Sequence, residues 1–237
     1  MPVKNIPSKD RLIFAMDVPD CLKARELATD LGESVTFYKI GLELMASGGY
    51  FELLDWLIAH DKKVFVDLKF FDIPVTVASA VRQLRNRGAS YVTVHGNQAI
   101  MEAAAEAKGE YLKVLAVTVL TSLDRGDLDD LGFDCEVESL VLSRARRALE
   151  CGCDGVISSG LEAEKLREFI DHKLLVVTPG IRPVENVPVG DQKRVVSVEQ
   201  AFKNGADQIV VGRPIRDADS PRAAAESIQA IIASIFE

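Results

Sequence analysis

Residues 63–81 read KVFVDLKFFDIPVTVASAV. The first eight are rich in β-branched and aromatic side chains, the composition of a strand. A short polar break with Asp72 follows. Beyond it Ile73, Val77, Val81 and Leu84 recur every three or four residues, the spacing of a helix with one apolar face. The stretch is therefore a strand, a tight loop and a helix. Strand side chains alternate, so Asp67 and Lys69 are expected to point the same way. An Asp before a helix with Pro in the first turn is also the pattern of an N-terminal cap, which gives Asp72 a structural reading.

The same unit recurs along the chain. Apolar runs are RLIFAMDV, VTFYKIGLEL, KVFVDLKF, YVTVHG, KVLAVTVLT, DGVISSG, LLVVTPG and QIVVGRPI, eight in all. Most are continuous rather than alternating, as strands buried on both faces require. Helical patterns separate them, and the last places Ile228, Ile231, Ile232 and Ile235 on one face. Eight strand–helix units in 237 residues predict an α/β fold of the (β/α)8 TIM-barrel type. A doubly wound sheet is the alternative, but no G-x-G-x-x-G follows the first strand. No linker or low-complexity segment divides the chain, so residues 1–237 are read as one domain. The longest irregular piece, RPVENVPVGDQKR at residues 182–194, is long enough to be a functional loop.

Composition narrows the function. Hydrophobic residues make up 48%, enough for a large core, and the formal net charge of -8 lacks the basic footprint of a nucleic-acid binder. No apolar run has the length of a membrane span and no signal sequence precedes the first strand, which predicts a cytoplasmic protein with no membrane partner. Cys151 and Cys153 are too close for a C-x-x-C motif, and His60, His95 and His172 lie far apart, so no metal site is expected.

In a barrel of this type the site lies at the C-terminal strand ends. The polar residues there are Asp17 after strand one and Lys39 in strand two. Asp67, Lys69 and Asp72 follow in and after strand three, His95 after strand four, and Thr121 and Ser122 after strand five. Arg182 follows strand seven, and Gly212 and Arg213 follow strand eight. Lys39, Asp67, Lys69 and Asp72 suggest an alternating charge network in which Lys39 pairs both carboxylates. Gly212 with Arg213 suits a phosphate, since glycine admits the backbone and guanidinium matches phosphate oxygens. Gln192 on the long loop is placed to reach over a ligand. Taken singly, each has a plain reading: a solvated D-x-K pair, a helix cap, a turn, a packed His95. Charges on strands two and three facing a phosphate-type end on strands seven and eight are harder to explain as surface.

DLKFFDIP with VTVASAV behind it resembles the signature of the orotidine 5′-phosphate decarboxylase family. FAMDVP, YKIGLEL, TVHG, TVLTS, TPGIRP, DQKRV and VVGRPI resemble further segments of that family, in its order. The resemblance implies conversion of orotidine 5′-monophosphate to UMP and CO2, the last step of pyrimidine synthesis, by a homodimer using neither metal nor organic cofactor. It implies that Lys69 donates the proton to C6 and that Asp67 lies against the departing carboxylate. Asp72 would come from the partner subunit. Lys39 and Asp17 would hold the ribose hydroxyls and the charge network, and Thr76 and Thr121 would contact substrate. Arg182, Gln192, Gly212 and Arg213 would form the closing loop and phosphate site. Two alternatives share the barrel: a Mg2+-dependent sugar-phosphate decarboxylase or aldolase with the same D-x-K-x-x-D, and a non-catalytic nucleotide-binding barrel.

Overall fold

Eight parallel strands close into a barrel in chain order: β1 (Leu12–Ala15), β2 (Phe37–Ile40), β3 (Lys63–Phe70), β4 (Tyr91–Val94), β5 (Lys113–Val117), β6 (Gly155–Ile157), β7 (Leu175–Thr178) and β8 (Gln208–Val211), with β8 pairing back onto β1. The computed structural model describes residues 4–182 and 195–237. Each predicted apolar run contains one of these strands. Some runs outlast their strand: Leu42 opens α2 (Leu42–Ser47), and Arg213 opens α10 (Arg213–Arg216). The other helices are α1 (Cys21–Leu31), α3 (Tyr50–Ala59), α4 (Pro74–Asn86), α5 (Gln98–Ala107), α6 (Arg125–Asp130), α7 (Val137–Glu150), α8 (Ala163–Phe169), α9 (Val198–Lys203) and α11 (Pro221–Phe236).

Alternation along the strands builds two cores. Leu12 and Phe14 of β1 join the large cluster under the helices, whereas Ile13 and Ala15 join Phe37, Phe65, Tyr91, Leu115, Val177 and Val210 inside the barrel. The N-terminal end of the barrel is closed by polar contacts. Tyr91 donates to Gln208 Oε1 at 2.8 Å, and Gln208 Nε2 donates to the Asp10 carbonyl at 2.7 Å. Among the described residues the barrel is filled below and opens at its C-terminal end, where a site is expected.

Three local expectations change. Asp72 does not cap α4: its Oδ1 accepts from the adjacent Ile73 N–H at 2.6 Å, and the cap position is Ile73, without a side-chain bond. Ile73 lies off the buried face of α4, which consists of Val77, Ala78, Val81 and Leu84. On α11, Ile228 and Ile232 are buried and Ile231 is partly buried, but Ile235, in the last turn of the helix, is exposed. α1 is capped by Asp20, which accepts from the Lys23 N–H at 2.8 Å.

Candidate active site

A cavity of about 540 Å3 opens at the C-terminal end of the barrel. Its walls include apolar side chains, Phe65, Ile157 and Val210 from the barrel-interior cluster and Val117 from the end of β5. Its rim carries Asp17, Lys39, Asp67, Lys69, Thr121, Arg182, Gly212 and Arg213. Eight residues chosen from the sequence thus meet around one space, drawn from six strand ends.

The charges form a line. Asp67 Oδ1 accepts from Lys69 Nζ at 2.9 Å, and its Oδ2 lies 3.4 Å from Lys39 Nζ. Lys39 Nζ in turn donates to Asp17 Oδ1 at 3.2 Å. The second carboxylate on Lys39 is therefore Asp17, not Asp72 as the sequence suggested. Burial opposes the charge on Asp67, yet the two ammonium groups and the hydrogen bonds from Lys69 and Thr93 prevail and hold its carboxyl below the usual range. Burial likewise acts against Lys39, but Asp67 and Asp17 outweigh it and raise its pKa. Both groups are charged at neutral pH, and a buried ion pair of this kind holds only while each partner is present.

Backbone shape carries the line to the cavity. Val66 pairs with Val92, but the next β3 residue in register is Phe70, opposite Val94. Four steps along β3 thus match two along β4. In this bulge Lys69 adopts φ +49°, a left-handed conformation uncommon for a long side chain. The pair faces one way as predicted, but through a bulge rather than strand alternation. Gly212 serves another close approach: a Cβ there would stand 3.3 Å from Ala15 Cβ and 3.8 Å from Asp17 Oδ2. Gly180, at φ +77°, turns the chain out of β7 toward Arg182.

Other expected residues lie elsewhere. Thr121 lines the cavity from the loop four residues past β5 rather than from the strand end, and the neighbouring Ser122 is exposed. Asp72 and Thr76 are exposed and absent from this cavity; Asp72 lines a shallow hollow of about 310 Å3 with Phe71, Ile73, Pro74, Asn97, Ala99 and Ile100. Phe71 and Ile73 in this hollow, and Val75 beside it in sequence, are 61–70% exposed. Gln192 lies outside the described residues. His95 packs edge-on against Phe71, with ring centroids 5.6 Å apart, and burial, Arg144 and Lys69 lower its pKa. Cys151 and Cys153 are free thiols, and burial pushes Cys153 up to about 12.

Two contributors escaped the sequence reading. Thr93, fully buried in β4, donates to Asp67 Oδ1 at 2.8 Å and accepts from the Lys69 N–H at 3.0 Å. A threonine in YVTVHG reads only as a strand former, so no pattern marks it. Arg216 lines the cavity, chelates Asp217 through Nε and Nη2, and donates from Nη1 to the Asp17 carbonyl at 2.7 Å. Its signal was its place one helical turn beyond Arg213.

An eight-stranded parallel barrel with a charged array and arginines at its open end defines a TIM-barrel enzyme. The model of the Orotidine 5′-phosphate decarboxylase / HUMPS family matches residues 10–228. The orotidine 5′-phosphate decarboxylase of Methylococcus capsulatus is 66% identical over 98% of this chain and 96% of its own length. That of Stenotrophomonas maltophilia is 54% identical over 97% of this chain and 96% of its own. The crystal structure of the Lactobacillus acidophilus orotidine 5′-phosphate decarboxylase superposes with a TM-score of 0.83 at 34% identity, covering 94% of this chain and 99% of that one. The chain belongs to the orotidine 5′-phosphate decarboxylase / HUMPS family.

Proposed function

We propose that this chain is a carboxy-lyase that converts orotidine 5′-monophosphate to UMP and CO2, the closing step of pyrimidine-nucleotide synthesis. The observation that carries the reading is the Asp17–Lys39–Asp67–Lys69 line at the mouth of a barrel cavity with apolar residues in its wall, whose β7 and β8 rim holds Arg182 and Arg213. Loss of CO2 from C6 leaves an electron pair in an sp2 orbital that the pyrimidine ring does not delocalise. Fixed ammonium groups in a water-poor site stabilise such a carbanion without solvent reorganisation. Lys69, the more open of the two lysines at 32% side-chain exposure, is the proton donor to C6. Asp67 holds Lys69 and sets a carboxylate against the substrate carboxylate, a repulsion relieved as CO2 leaves.

Lys39 and Asp17 bind the ribose hydroxyls, and Thr121 contacts the ligand nearby. Arg182, Gln192, Gly212 and Arg213 take the phosphate, so that binding energy remote from C6 drives closure. The enzyme works without metal or organic cofactor. The geometry supports this over Mg2+-dependent chemistry, because Asp67 already accepts from Lys69 and Thr93 on Oδ1 and meets Lys39 on Oδ2.

The protein acts as a homodimer with shared sites. Asp72 and Thr76 serve the neighbouring subunit: they sit outside their own cavity, among exposed Phe71, Ile73 and Val75, an apolar surrounding suited to burial against a second copy. The same reading takes residues 1–237 as one domain, acting in the cytoplasm, where its four unpaired cysteines stay reduced. Among the described residues no helix is long and apolar enough to cross a membrane.

The test is the fall in ultraviolet absorbance of orotidine 5′-monophosphate on adding purified protein, with and without EDTA. Turnover insensitive to EDTA is expected. No turnover at micromolar enzyme overturns the reading, and full inhibition by EDTA favours the metal-dependent alternative.

A further inference from the structure

The Thr93 hydroxyl closes a ring around Lys69. Its proton goes to Asp67 Oδ1 at 2.8 Å, and its lone pair accepts the Lys69 N–H at 3.0 Å. Asp67 Oδ1 also accepts from Lys69 Nζ at 2.9 Å. One hydroxyl and one carboxylate oxygen thereby hold both ends of the same residue, its amide and its ammonium. The amide needs this partner because the bulge between Val66 and Phe70 takes it out of the β3–β4 ladder. The left-handed backbone at Lys69 has no glycine to ease it, so surrounding contacts must hold it in place. Thr93 is fully buried, which removes water as a substitute donor or acceptor.

We infer that Thr93 is a positioning residue: its hydroxyl fixes the Lys69 ammonium against Asp67 and hence against the reacting carbon. The inference rests on the proposed decarboxylation. Thr93 does not line the cavity, and it acts through Lys69 and Asp67. Proton transfer is steeply sensitive to donor placement, so the effect belongs in kcat, whereas phosphate contacts at β7 and β8 that dominate affinity are untouched.

The test compares wild type, Thr93→Val, which keeps the shape without the hydroxyl, and Thr93→Ser, which keeps the hydroxyl without the methyl. Steady-state kinetics with orotidine 5′-monophosphate, UMP affinity by calorimetry and a crystal structure of Thr93→Val are measured. In Thr93→Val, kcat falls about ten-fold, equivalent to about 1.4 kcal/mol. KM and UMP affinity stay within about two-fold, because their contacts lie elsewhere. Thr93→Ser recovers most of kcat, and the Thr93→Val crystal structure shows Lys69 out of its left-handed conformation. Should Thr93→Val fail to fold, Thr93→Cys, similar in size with a weak thiol donor, replaces it under the same expectations. Wild-type kcat in Thr93→Val, or equal loss in Thr93→Ser, overturns the inference. If wild type itself does not turn over, the reaction is wrong but the crystal structure still decides: an undisturbed Lys69 and Asp67 without the hydroxyl overturns the role of Thr93, and a displaced Lys69 supports it.

Discussion

Lys39→Met removes the middle cation of the charged line and keeps the aliphatic stem. The Lys39 side chain is 13% exposed and Asp67 12%, so both are largely out of water. Deleting one partner of a buried pair costs roughly 3–5 kcal/mol, because the remaining charge is stranded. Three features place this case at the low end. Asp17, at 47% side-chain exposure, is resolvated once freed. Asp67 keeps Lys69 and Thr93. Burial of the ammonium, the largest influence on Lys39 and one that works against its charge, disappears in Met. The expected loss at pH 7 is about 3 kcal/mol, or about 6–12 °C in Tm at fixed protein concentration.

The sign of the pH dependence follows from linkage. Asp67 has a lowered folded pKa, so its stabilisation is present above the unfolded carboxylate value and is lost as pH falls through the folded one. Without Lys39 that folded pKa rises and Asp67 protonates earlier on acidification. Lys39 has a raised folded pKa, so its contribution is present below the unfolded lysine value and is lost as pH rises through the folded one. The deficit of Lys39→Met is therefore widest at neutral pH and narrows toward both extremes. Urea unfolding of both proteins from about pH 3, below the usual carboxylate value, to about pH 11, above the usual lysine value, measures it. A variant within about 0.5 kcal/mol of wild type at pH 7, or a deficit that does not change with pH, refutes the account of the charged line.

Arg213→Ala should lower kcat/KM for orotidine 5′-monophosphate by roughly 10- to 150-fold, the worth of a charge-assisted phosphate contact, while leaving the free nucleoside orotidine nearly unaffected; equal losses for both substrates would move Arg213 away from the phosphate. Mixing inactive Lys69→Ala and Asp72→Ala subunits should return about a quarter of wild-type activity, since about half of the dimers are mixed and half of their sites are intact. Isolated mixed dimers no more active than the parents would reject the shared site. Gly155→Ala should destabilise the barrel by about 3 kcal/mol in thermal unfolding, because a Cβ there would stand 2.5 Å from Leu175 Cβ and 2.6 Å from its carbonyl, between strands that have no room to part; an unchanged Tm would show that β6 and β7 yield.

The barrel was legible because parallel strands buried on both faces leave unbroken apolar runs, and eight such runs survive in the sequence. The Lys39, Asp67 and Lys69 cluster was legible for a related reason: a charge inside an apolar run must be paired or functional. Partner choice was not legible. Asp17 and Asp72 are both loop carboxylates two residues beyond a strand, and only three-dimensional loop paths decide that Asp17 turns in to Lys39 while Asp72 stays outside. The left-handed Lys69 was hidden as well, since a bulge leaves no composition signal when its residue is not glycine. Thr93 escaped because a buried hydroxyl matters through what it touches, and threonine is common in strands.

The central claim is that Lys69 delivers the proton to C6 after CO2 departs. The direct measurement is proton NMR of the product formed from orotidine 5′-monophosphate in D2O. Wild type should give UMP carrying deuterium at C6, and Lys69→Ala, still binding UMP, should give none over the same period. Unchanged substrate with wild type, or deuterated UMP formed at an undiminished rate by Lys69→Ala, would contradict the account.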